Sequence, residues 1–406
     1  MKKINSIKYK NIPVTIRENC MICEKPSGAA LLNFPDFPMT EIYTSERVKT
    51  KVAVCDQSFH LCTRCGHGQI QNVIDVNLQY GDAISYSFRA SKSATGRESG
   101  DFFVGFLKKY MGKKHFGSIL ELGCNDMYVL QALKGKARKL VGVDPILKGK
   151  EKEYSQDNLV AIGDFFEEVK FNEKFDVIIC KDTLEHVDDP KGFVKKVIEL
   201  GNDDTLYFFQ FPLLETLLYN CRFDQIFHQH LSYFSLQSIL YMLTEFGCEL
   251  EGYTINHNLW GAILIAFKKG KRTKRFASHA KDFSRADILN RYEIFKTSIL
   301  MTQKQLQLLE SEIVYGYGAA LMLPVLSYHL GNDFSSFNSI LDEDTQKDGA
   351  YYINLPVKIK HVSKIHDIQK AVILVTAIST ITNTRRILAK LADLNPKKIL
   401  VPLHTF

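Results

Sequence analysis

The chain has 406 residues, a length at which more than one hydrophobic core is expected, so we predict two or three domains. Hydrophobic residues make up 45% and charged residues 24%, which excludes a largely disordered or collagen-like chain. The net charge of +7 is mild and does not by itself predict a nucleic-acid partner. Because the sequence has no apolar run of about 18 residues and no apolar leader, we expect a cytoplasmic protein without a membrane partner.

Four of the nine cysteines form two CxxC pairs, Cys20 with Cys23 and Cys62 with Cys65, separated by 38 residues. Each pair can place two thiolates on one tetrahedral ion, and four thiolates complete a structural Zn²⁺ site. A redox dithiol is the alternative, but that motif normally opens a helix, whereas Cys65 is followed by a glycine-rich turn. We therefore predict a zinc-binding module over residues 1–80, in which the metal replaces an apolar core.

Apolar strands alternate with helical patterns from residue 118 onward, which predicts a parallel sheet with helices on both faces. The predicted strands are 118–122, 140–143, 159–162, 175–179 and 206–211, followed by a helix over 231–247 and a strand over 259–267. A second alternating unit has strands at 339–341, 371–376 and 398–401. The predicted fold class is therefore α/β, with a middle domain over residues 81–284 and a Rossmann-like C-terminal domain over residues 285–406.

Ligand-facing residues follow the first two strands of the middle domain. The first strand ends at Glu121, and Gly123 and Asn125 come next. A single glycine in this turn suits a nucleoside that has no pyrophosphate to bind. Asp144 follows the second strand, 21 residues after Gly123, where a carboxylate can accept hydrogen bonds from both ribose hydroxyls.

The third strand is followed by Asp164 and Phe165, which are placed to hold the edge and the face of an adenine. Asp144 and Asp164 could each be a helix N-cap instead, but three such signals at successive strand ends favour a ligand site. An NAD site would require the later glycines of a GxGxxG loop, which are missing here. The predicted ligand is S-adenosylmethionine, and the middle domain is predicted to be a Rossmann-like class I methyltransferase domain.

Histidines after the fourth and fifth strands are candidates for proton transfer. His186 follows the fourth strand, where a methyl donor and its acceptor would meet, although it could also be a helix-terminal histidine without a role. His228, Gln229 and His230 follow the fifth strand among aromatic residues. An HxH pair can bind a metal, but no third ligand is evident nearby. Methyl transfer to carbon beside a ketone needs a base and donors to the enolate oxygen, so we expect one histidine as base and another as donor.

The order of these parts resembles the zinc-containing, S-adenosylmethionine-dependent C-methyltransferases that act on nucleotide-linked 4-keto-deoxysugars. The resemblance covers nearly the whole chain and is carried by the two CxxC pairs, by residues 86–95, 121–126, 184–186 and 223–235, and by the Gly-Tyr-Gly-Ala sequence at 316–319. It implies methylation of a sugar carbon, C3, with His230 as the base. It also implies that His186 and Tyr86 lie beside the sugar and that the C-terminal domain holds the nucleotide diphosphate.

This chain departs from the family pattern at several positions. Phe227 and Gln229 stand where the family has Tyr and Glu. A glutamine can orient an imidazole but cannot hold an imidazolium by charge, a loss on the order of 1.5 to 3 kcal/mol. Met127 stands where the family has Gly, and residues 320–323 lack the family's Lys and Gly. These differences keep O- or N-methylation on the same scaffold as the alternative function.

A nucleic-acid-binding protein is the alternative from another class. Its basis would be the zinc module and a basic cluster made of Lys268, Lys269, Lys271, Arg272, Lys274 and Arg275. The module lacks a dense basic and aromatic face, and the small net charge leaves little electrostatic affinity to explain. We therefore expect a small-molecule, nucleotide-linked acceptor as the partner and no nucleic acid; the pattern does not specify an oligomeric state.

Overall fold

The computed structural model describes residues 12–48, 53–75, 88–270, 283–309, 312–378 and 380–403. The N-terminal module has six strands, β1 (Val14–Ile16), β2 (Leu32–Pro38), β3 (Tyr43–Thr44), β4 (Val54–Leu61), β5 (Gly68–Ile70) and β6 (Asn72–Ile74). β4 pairs antiparallel with β2 and β5, and β1 pairs with β6. The segment between the CxxC pairs, where we expected the metal to replace an apolar core, contains the two longest strands of the module. The register of β2 against β4 shifts between Phe34 and Phe37, which marks a β-bulge within β2.

The middle domain contains α1 (Ala94–Met111), β7 (Phe116–Leu122), α2 (Tyr128–Ala132), β8 (Ala137–Val143), α3 (Glu151–Tyr154), β9 (Leu159–Ile162), β10 (Phe175–Lys181), α4 (Pro190–Glu199), β11 (Gly201–Pro212), α5 (Leu214–Tyr219), β12 (Ser232–Tyr233), α6 (Leu236–Glu245), β13 (Cys248–Asn256) and β14 (Ala262–Lys269). Its seven-stranded sheet has the order β9-β8-β7-β10-β11-β14-β13. The first five strands in this order are parallel, and β14 is antiparallel to both of its neighbours. The five predicted parallel strands are thereby confirmed.

Two elements of the middle domain differ from the sequence expectation. The helix expected from residue 231 begins at Leu236, because Ser235 and Ser238 form a capping box there and residues 232–233 form β12, which pairs with β5. The second is β13, which was not predicted. Its residues alternate poorly because a register shift between Leu250 and Gly252 interrupts its pairing with β14.

The C-terminal domain contains α7 (Arg285–Gln307), β15 (Val314–Tyr317), α8 (Leu323–Leu330), β16 (Ser339–Asp342), β17 (Tyr351–Tyr352), β18 (Ile359–His361), β19 (Val372–Val375), α9 (Ile381–Leu394) and β20 (Lys398–Leu400). Its five-stranded sheet has the order β18-β16-β15-β19-β20, and every pairing is parallel. The predicted Rossmann-like unit is confirmed.

The N-terminal module packs against both other domains. β3 pairs with β17 and β5 with β12, so that the module contributes to a sheet with each neighbour. Phe34, Phe37 and Phe59 are fully buried in the hydrophobic cluster that also holds the C-terminal sheet. The apolar side chains of the module are thus buried in a hydrophobic core that they share with the C-terminal domain, in addition to the expected metal site. Among the described residues, no helix has the length and apolarity needed to cross a membrane.

Candidate functional site

The four cysteines of the two CxxC pairs converge in the N-terminal module. All four are buried, and their sulfur atoms lie within 4.8 Å of one another. The Sγ atoms of Cys20 and Cys65 are 3.5 Å apart, and those of Cys23 and Cys62 are 3.4 Å apart. A tetrahedral Zn²⁺ with bonds of about 2.3 Å would separate its sulfur ligands by about 3.8 Å. The donor set and its spacing therefore fit a closed zinc site.

A cavity of about 900 Å³ lies at the carboxyl ends of the parallel strands of the middle domain. All six residues predicted to bind a cofactor line it: Glu121, Gly123, Asn125, Asp144, Asp164 and Phe165. His186 lines the same cavity. The carboxyl ends of β7, β8, β9 and β10 therefore bring together residues that are up to 65 positions apart, as expected for a parallel sheet.

The turn after β7 needs its glycine. Gly123 has φ +69°, and a Cβ there would lie 2.0 Å from the Oγ1 of Thr183. Asn125 and Met127 also adopt the left-handed conformation, with φ values of 49° and 67°. The buried side chain of Met127 packs against Gly142. Met127 thus holds a left-handed backbone conformation that a glycine would adopt without a steric cost.

Both carboxylate oxygens of Asp144 accept hydrogen bonds from backbone N–H groups beside the cavity. Oδ2 accepts a hydrogen bond from the N–H of Asn125 at 2.8 Å, and Oδ1 accepts one from the N–H of Ile146 at 3.0 Å. The N-cap alternative is therefore correct for the short turn that follows β8. The residue also lines the cavity, and its pKa is raised because of burial. Capping and ligand contact are compatible, since each oxygen has a second lone pair.

Glu121 is a buried carboxyl group that faces the same cavity. It is 2% exposed, and its Oε2 has no hydrogen-bond partner among the described residues. Burial raises its pKa to about 8, against the opposing charge of Lys181. An unpartnered buried carboxyl oxygen is unusual in a folded protein and indicates a site for a hydrogen-bond donor from a ligand.

A short segment before α1 closes over the turn after β7. The N–H of Ala90 donates to Oδ1 of Asn125 at 3.0 Å, and both the N–H and the hydroxyl of Ser91 donate to Asp126. This segment belongs to the stretch that the family resemblance matched. Tyr86, predicted to lie beside the acceptor, falls outside the described residues.

His186 and His230 face each other at the edge of the cavity. Their ring centroids are 4.9 Å apart. The Nδ1 atom of His186 lies 2.7 Å from the carbonyl oxygen of Gln229. A carbonyl can only accept, so Nδ1 carries the hydrogen and the Nε2 atom of a neutral His186 is an acceptor. Burial lowers the pKa of His186. The pKa of His230 lies well below the usual range because the ring is buried and because His186 is close to it.

Glu185 completes a three-residue cluster with these histidines. One ligand atom from each of Glu185, His186 and His230 lies within 4.8 Å of the others. The carboxylate oxygen Oε1 is 3.9 Å from the Nε2 atom of His186, and Oε2 is buried without a partner among the described residues. Burial raises the pKa of Glu185 well above its usual value. The cluster can exchange protons, and its spacing would also accommodate a divalent cation through a third ligand that sequence reasoning did not find.

The structure places His228 and Gln229 away from this cluster. His228 is fully buried, with Nδ1 3.1 Å from the Nε2 of Gln57 and Nε2 3.1 Å from the carbonyl oxygen of Phe37. Both ring nitrogens thus connect the site segment to the N-terminal module. The Gln229 side chain accepts a hydrogen bond from Thr40 at 3.2 Å, so this residue orients His186 through its backbone carbonyl alone.

Acidification is expected to weaken folding through His228. Burial lowers its pKa to about 4, whereas an unfolded histidine titrates near 6.5, so the unfolded chain binds the proton first as the pH falls. The stability present above pH 6.5 is lost progressively towards pH 4, which amounts to about 2 kcal/mol at pH 5. Denaturant unfolding at pH 7 and pH 5 should show a smaller loss for His228→Gln, which cannot titrate. An equal loss in both proteins would contradict the assignment.

Sequence reasoning missed three residues at the carboxyl end of β10. Lys181, the last residue of the strand, lines the cavity, and so do Asp182 and Thr183, which follow it. The Nε2 of Gln210, from β11, donates to both carboxylate oxygens of Asp182 at 2.8 and 3.0 Å. The same rule of strand ends that identified Asp144 could have identified Asp182, because it too is the first polar residue outside its strand.

The basic cluster is only partly described. Lys268 and Lys269 lie at the end of β14; Lys268 bridges to Glu249 and Glu251, and Lys269 donates to the carbonyl oxygen of Gly201. The other four members, from Lys271 to Arg275, lie outside the described residues. The described lysines are thus engaged within the middle domain.

The strand order, the antiparallel β14 and the cavity at the carboxyl ends define a Rossmann-like class I methyltransferase domain. Residues 98–252 match the family model described as a methyltransferase domain. The chain therefore contains a methyltransferase domain, which spans the cavity from α1 to β13.

Comparison with known proteins gives partial matches. The chain is 26% identical over 192 residues to the C-methyltransferase NovU of Streptomyces niveus, which covers 46% of this chain. The chain spans about half of that relative, 45% of its length. Among solved structures, the chain is similar to the N-methyltransferase NodS of Bradyrhizobium japonicum in complex with S-adenosylhomocysteine. The TM-score is 0.36 and the sequence identity 14%, and the match covers 47% of this chain and 94% of that one. An S-adenosylmethionine-dependent methyltransferase of Clostridium acetobutylicum has a TM-score of 0.35, with 14% identity and coverage of 44% and 94%.

Proposed function

We propose that this protein transfers a methyl group from S-adenosylmethionine to a carbon of a nucleotide-linked 4-keto-deoxysugar. The single observation that carries the proposal is the histidine pair. His186 lines the cavity at the strand ends, and its ring contacts that of His230. A pair of imidazoles beside a cofactor cavity is suited to remove a proton from a carbon acid with one neutral ring and to donate to the oxygen of its enolate from the other ring in its protonated form.

The cavity residues fit S-adenosylmethionine. Bound there, it would supply a methyl group on a sulfonium sulfur, ready for attack by a carbon nucleophile. Glu121 would accept from a donor of the ligand, since its Oε2 is buried and unpartnered among the described residues. Asp144 would bind the ribose hydroxyls, and Asp164 and Phe165 would contact the adenine. Gly123 keeps the turn free of a Cβ that would fill the space near Thr183.

The proton step assigns different tasks to the two histidines. His230 is neutral because burial lowers its pKa. It takes the proton from the sugar carbon next to the ketone, and the electron pair of that C–H bond moves into the enolate. Because the Nδ1 hydrogen of His186 is bonded to the carbonyl of Gln229, His186 would donate to the enolate oxygen from Nε2 in its protonated form, with Glu185, whose Oε1 lies 3.9 Å from that atom, as the source of the proton. Bound S-adenosylmethionine would supply the methyl group: the new C–C bond would replace the sulfonium–methyl bond, whose electron pair would remain on sulfur in a neutral thioether. His230 then releases its proton to solvent, so that the net products are the C-methylated sugar, a neutral thioether and one proton.

The acceptor is the least constrained part of the proposal. Support comes from the resemblance over nearly the whole chain to C-methyltransferases of nucleotide-linked 4-keto-deoxysugars and from the partial match to a protein named a C-methyltransferase. The second candidate is O- or N-methylation on the same scaffold. Phe227 favours this alternative: its ring lies 4.2 Å from that of His230, where a tyrosine would offer a hydroxyl.

Incubation with ¹³C-methyl S-adenosylmethionine and a panel of nucleotide-linked 4-keto-deoxysugars tests the proposal. A ¹³C signal at a C-methyl shift, coupled to a sugar carbon, is expected. An O-methyl or N-methyl signal would establish the second candidate. Absence of transfer to every sugar, with measured cofactor binding, would overturn the proposed acceptor class.

Gly123→Ala is expected to impair the cofactor site more than Gly135→Ala does. Both glycines have positive φ, +69° and +82°, so either alanine is strained, by about 1 to 2 kcal/mol. Only at Gly123 would the new Cβ collide with Thr183, whereas nothing lies within 4 Å at Gly135. Calorimetry should show roughly a tenfold or larger loss of S-adenosylmethionine affinity for Gly123→Ala alone. Equal affinities of the two variants would contradict the role of this turn.

A further inference from the structure

The longest helix among the described residues is α7, at the start of the C-terminal domain. It spans 23 residues, which makes it about 34 Å long. One face is buried in the hydrophobic cluster of that domain through four apolar side chains: Ile288, Phe295, Ile299 and Leu306. Arg291 donates to the carbonyl oxygen of Leu218 and Gln303 to that of Leu330, so polar contacts hold the same side of the helix. The packing of α7 on its own chain is thus made by this inner face.

The opposite face of α7 is exposed and rich in large apolar side chains. Thirteen such side chains are exposed among the described residues, and five of them lie on α7 or on the residue that caps it: Leu289, Ile294, Leu300, Met301 and Leu308. Met301 is 61% exposed and Leu308 is 83% exposed. At 3.6 residues per turn, the five fall within about 140° of the helix circumference. Single exposed apolar residues are normal, but a continuous stripe marks a surface that another molecule covers.

Two charged residues, Glu293 and Lys304, lie within the same sector of the helix, and both are exposed. They are about three helical turns apart. Glu293 forms an ion pair with Lys296 of its own helix, with 2.6 Å between Oε1 and Nζ, whereas Lys304 forms none with the described residues. The five apolar residues together with Glu293 and Lys304 are called the outer face. This surface therefore carries one negative and one positive group on an apolar stripe.

The outer face is complementary to itself in one antiparallel register. A twofold axis at the midpoint between the two charged residues places Glu293 of each copy opposite Lys304 of the other, so that two ion pairs form. In this register Ile294 lies beside Met301 of the second copy, on the same flank of the helix pair. The leucines at the two ends of the stripe come level with one another. Apolar groups thus meet apolar groups, as a closed twofold interface requires.

We propose that the outer face of α7 binds the outer face of a second copy, so that the protein forms a twofold-symmetric homodimer through an antiparallel helix pair. The opposite charges at matching distances from the axis favour a second copy over a lipid surface, which would be served by apolar residues alone. Contact between two helices is a small interface, so we expect a dissociation constant in the micromolar range, on the order of 1 to 10 µM. The outer face shares no residue with the cofactor cavity, and the inference is independent of the proposed reaction.

Exchange of the two charges tests the register. Glu293→Lys and Lys304→Glu should each raise the dissociation constant of the dimer roughly tenfold or more, because each places like charges opposite one another at two points of the interface. The double variant should return most of the lost affinity, since every lysine again faces a glutamate. Sedimentation velocity of the full chain, over about 1 to 100 µM, measures the three constants. A double variant as weak as the single variants would overturn the proposed pairing.

The apolar part of the interface has a matched control. Leu300→Gln and Phe102→Gln each replace an exposed apolar residue of a helix, the first on the outer face and the second on α1. Leu300→Gln should weaken the dimer roughly tenfold or more, and Phe102→Gln should leave it unchanged. Both variants should unfold within a few degrees of the wild type and retain its affinity for S-adenosylmethionine.

Two other outcomes would overturn the proposal. One is a wild-type chain that stays monomeric over the whole concentration range, or a dimer that neither the charge reversals nor Leu300→Gln weakens. The other is a monomer that sediments with phosphatidylcholine vesicles and loses this binding in Leu300→Gln, which would assign the outer face to a lipid surface. Because none of these measurements involves methyl transfer, a negative ¹³C experiment would leave the dimer standing, and a monomeric chain would leave the proposed reaction standing.

Discussion

Replacing His230 with asparagine is expected to abolish methyl transfer while leaving the affinity for S-adenosylmethionine intact. The imidazole is 3% exposed and contacts His186, yet it does not line the cofactor cavity. Loss of a positioned base typically costs on the order of 10² to 10⁴ in rate. Asparagine preserves polarity and approximate volume but cannot take a proton at neutral pH. Single-turnover transfer of a labelled methyl group and calorimetric titration of the cofactor measure the two quantities separately.

The matched control is His115→Asn, which alters an exposed histidine of the same domain beside the amino end of β7. It should transfer methyl groups at the wild-type rate. If His230→Asn retains most of its activity, the base must be another group, and His186, which lines the cofactor cavity, is the next candidate. If both the rate and the cofactor affinity fall together, His230 supports the cofactor cavity rather than the proton step.

The second large effect is expected at the cysteine cluster. Cys65→Ser should lose zinc and unfold the N-terminal module, because binding of a structural Zn²⁺ can contribute about 10 to 16 kcal/mol to folding. The effect should extend to the site, since His228 bonds to two residues of that module and β12 pairs with β5. Metal analysis and thermal unfolding of the purified variant give the zinc content and the stability.

Cys55→Ser is the control for this change. Cys55 lies on β4 in the same module but outside the cluster. It should keep one zinc per chain and unfold within a few degrees of the wild type. A soluble, zinc-free Cys65→Ser protein with unchanged stability would contradict a structural metal. A second equivalent of metal in the wild type, lost in His230→Asn, would instead identify the cluster of Glu185, His186 and His230 as a metal site and exclude the base assignment.

The predictability of the cofactor cavity has a simple physical origin. In a parallel sheet all carboxyl ends lie at one edge, so the residues after each strand must meet, whatever their separation along the chain. Reading strand ends therefore placed Gly123, Asp144 and Asp164 together, as the structure shows. The same rule applies to Asp182, which follows β10 and also lines the cavity.

The fold of the N-terminal module could be predicted from the sequence only in part. Two CxxC pairs indicated a metal-held segment, and the buried, convergent sulfur atoms agree with that. The apolar residues of β2 and β4 did not indicate a core of their own, because many of their partners lie in the other two domains, such as Tyr233 beside Phe59 and Tyr328 beside Phe37. A pattern of buried side chains predicts that a face is covered but not by which element.

The contacts of the histidines could not be predicted from the local sequence. His228 and His230 are two positions apart and equivalent in the sequence pattern, yet one bonds to Gln57 and Phe37 and the other faces His186. Glu185 and Trp260 join the same region from other elements. The direction of each side chain depends on how three domains pack around one loop.

The sequence by itself thus determined the α/β class, the cysteine set and the residues at the strand ends, because these follow from periodicity, ligand spacing and the geometry of a parallel sheet. Only the tertiary structure decided which histidines meet and that Glu185 completes their cluster. Those features arise from contacts between elements distant along the chain, where desolvation and side-chain packing, rather than local pattern, set the outcome.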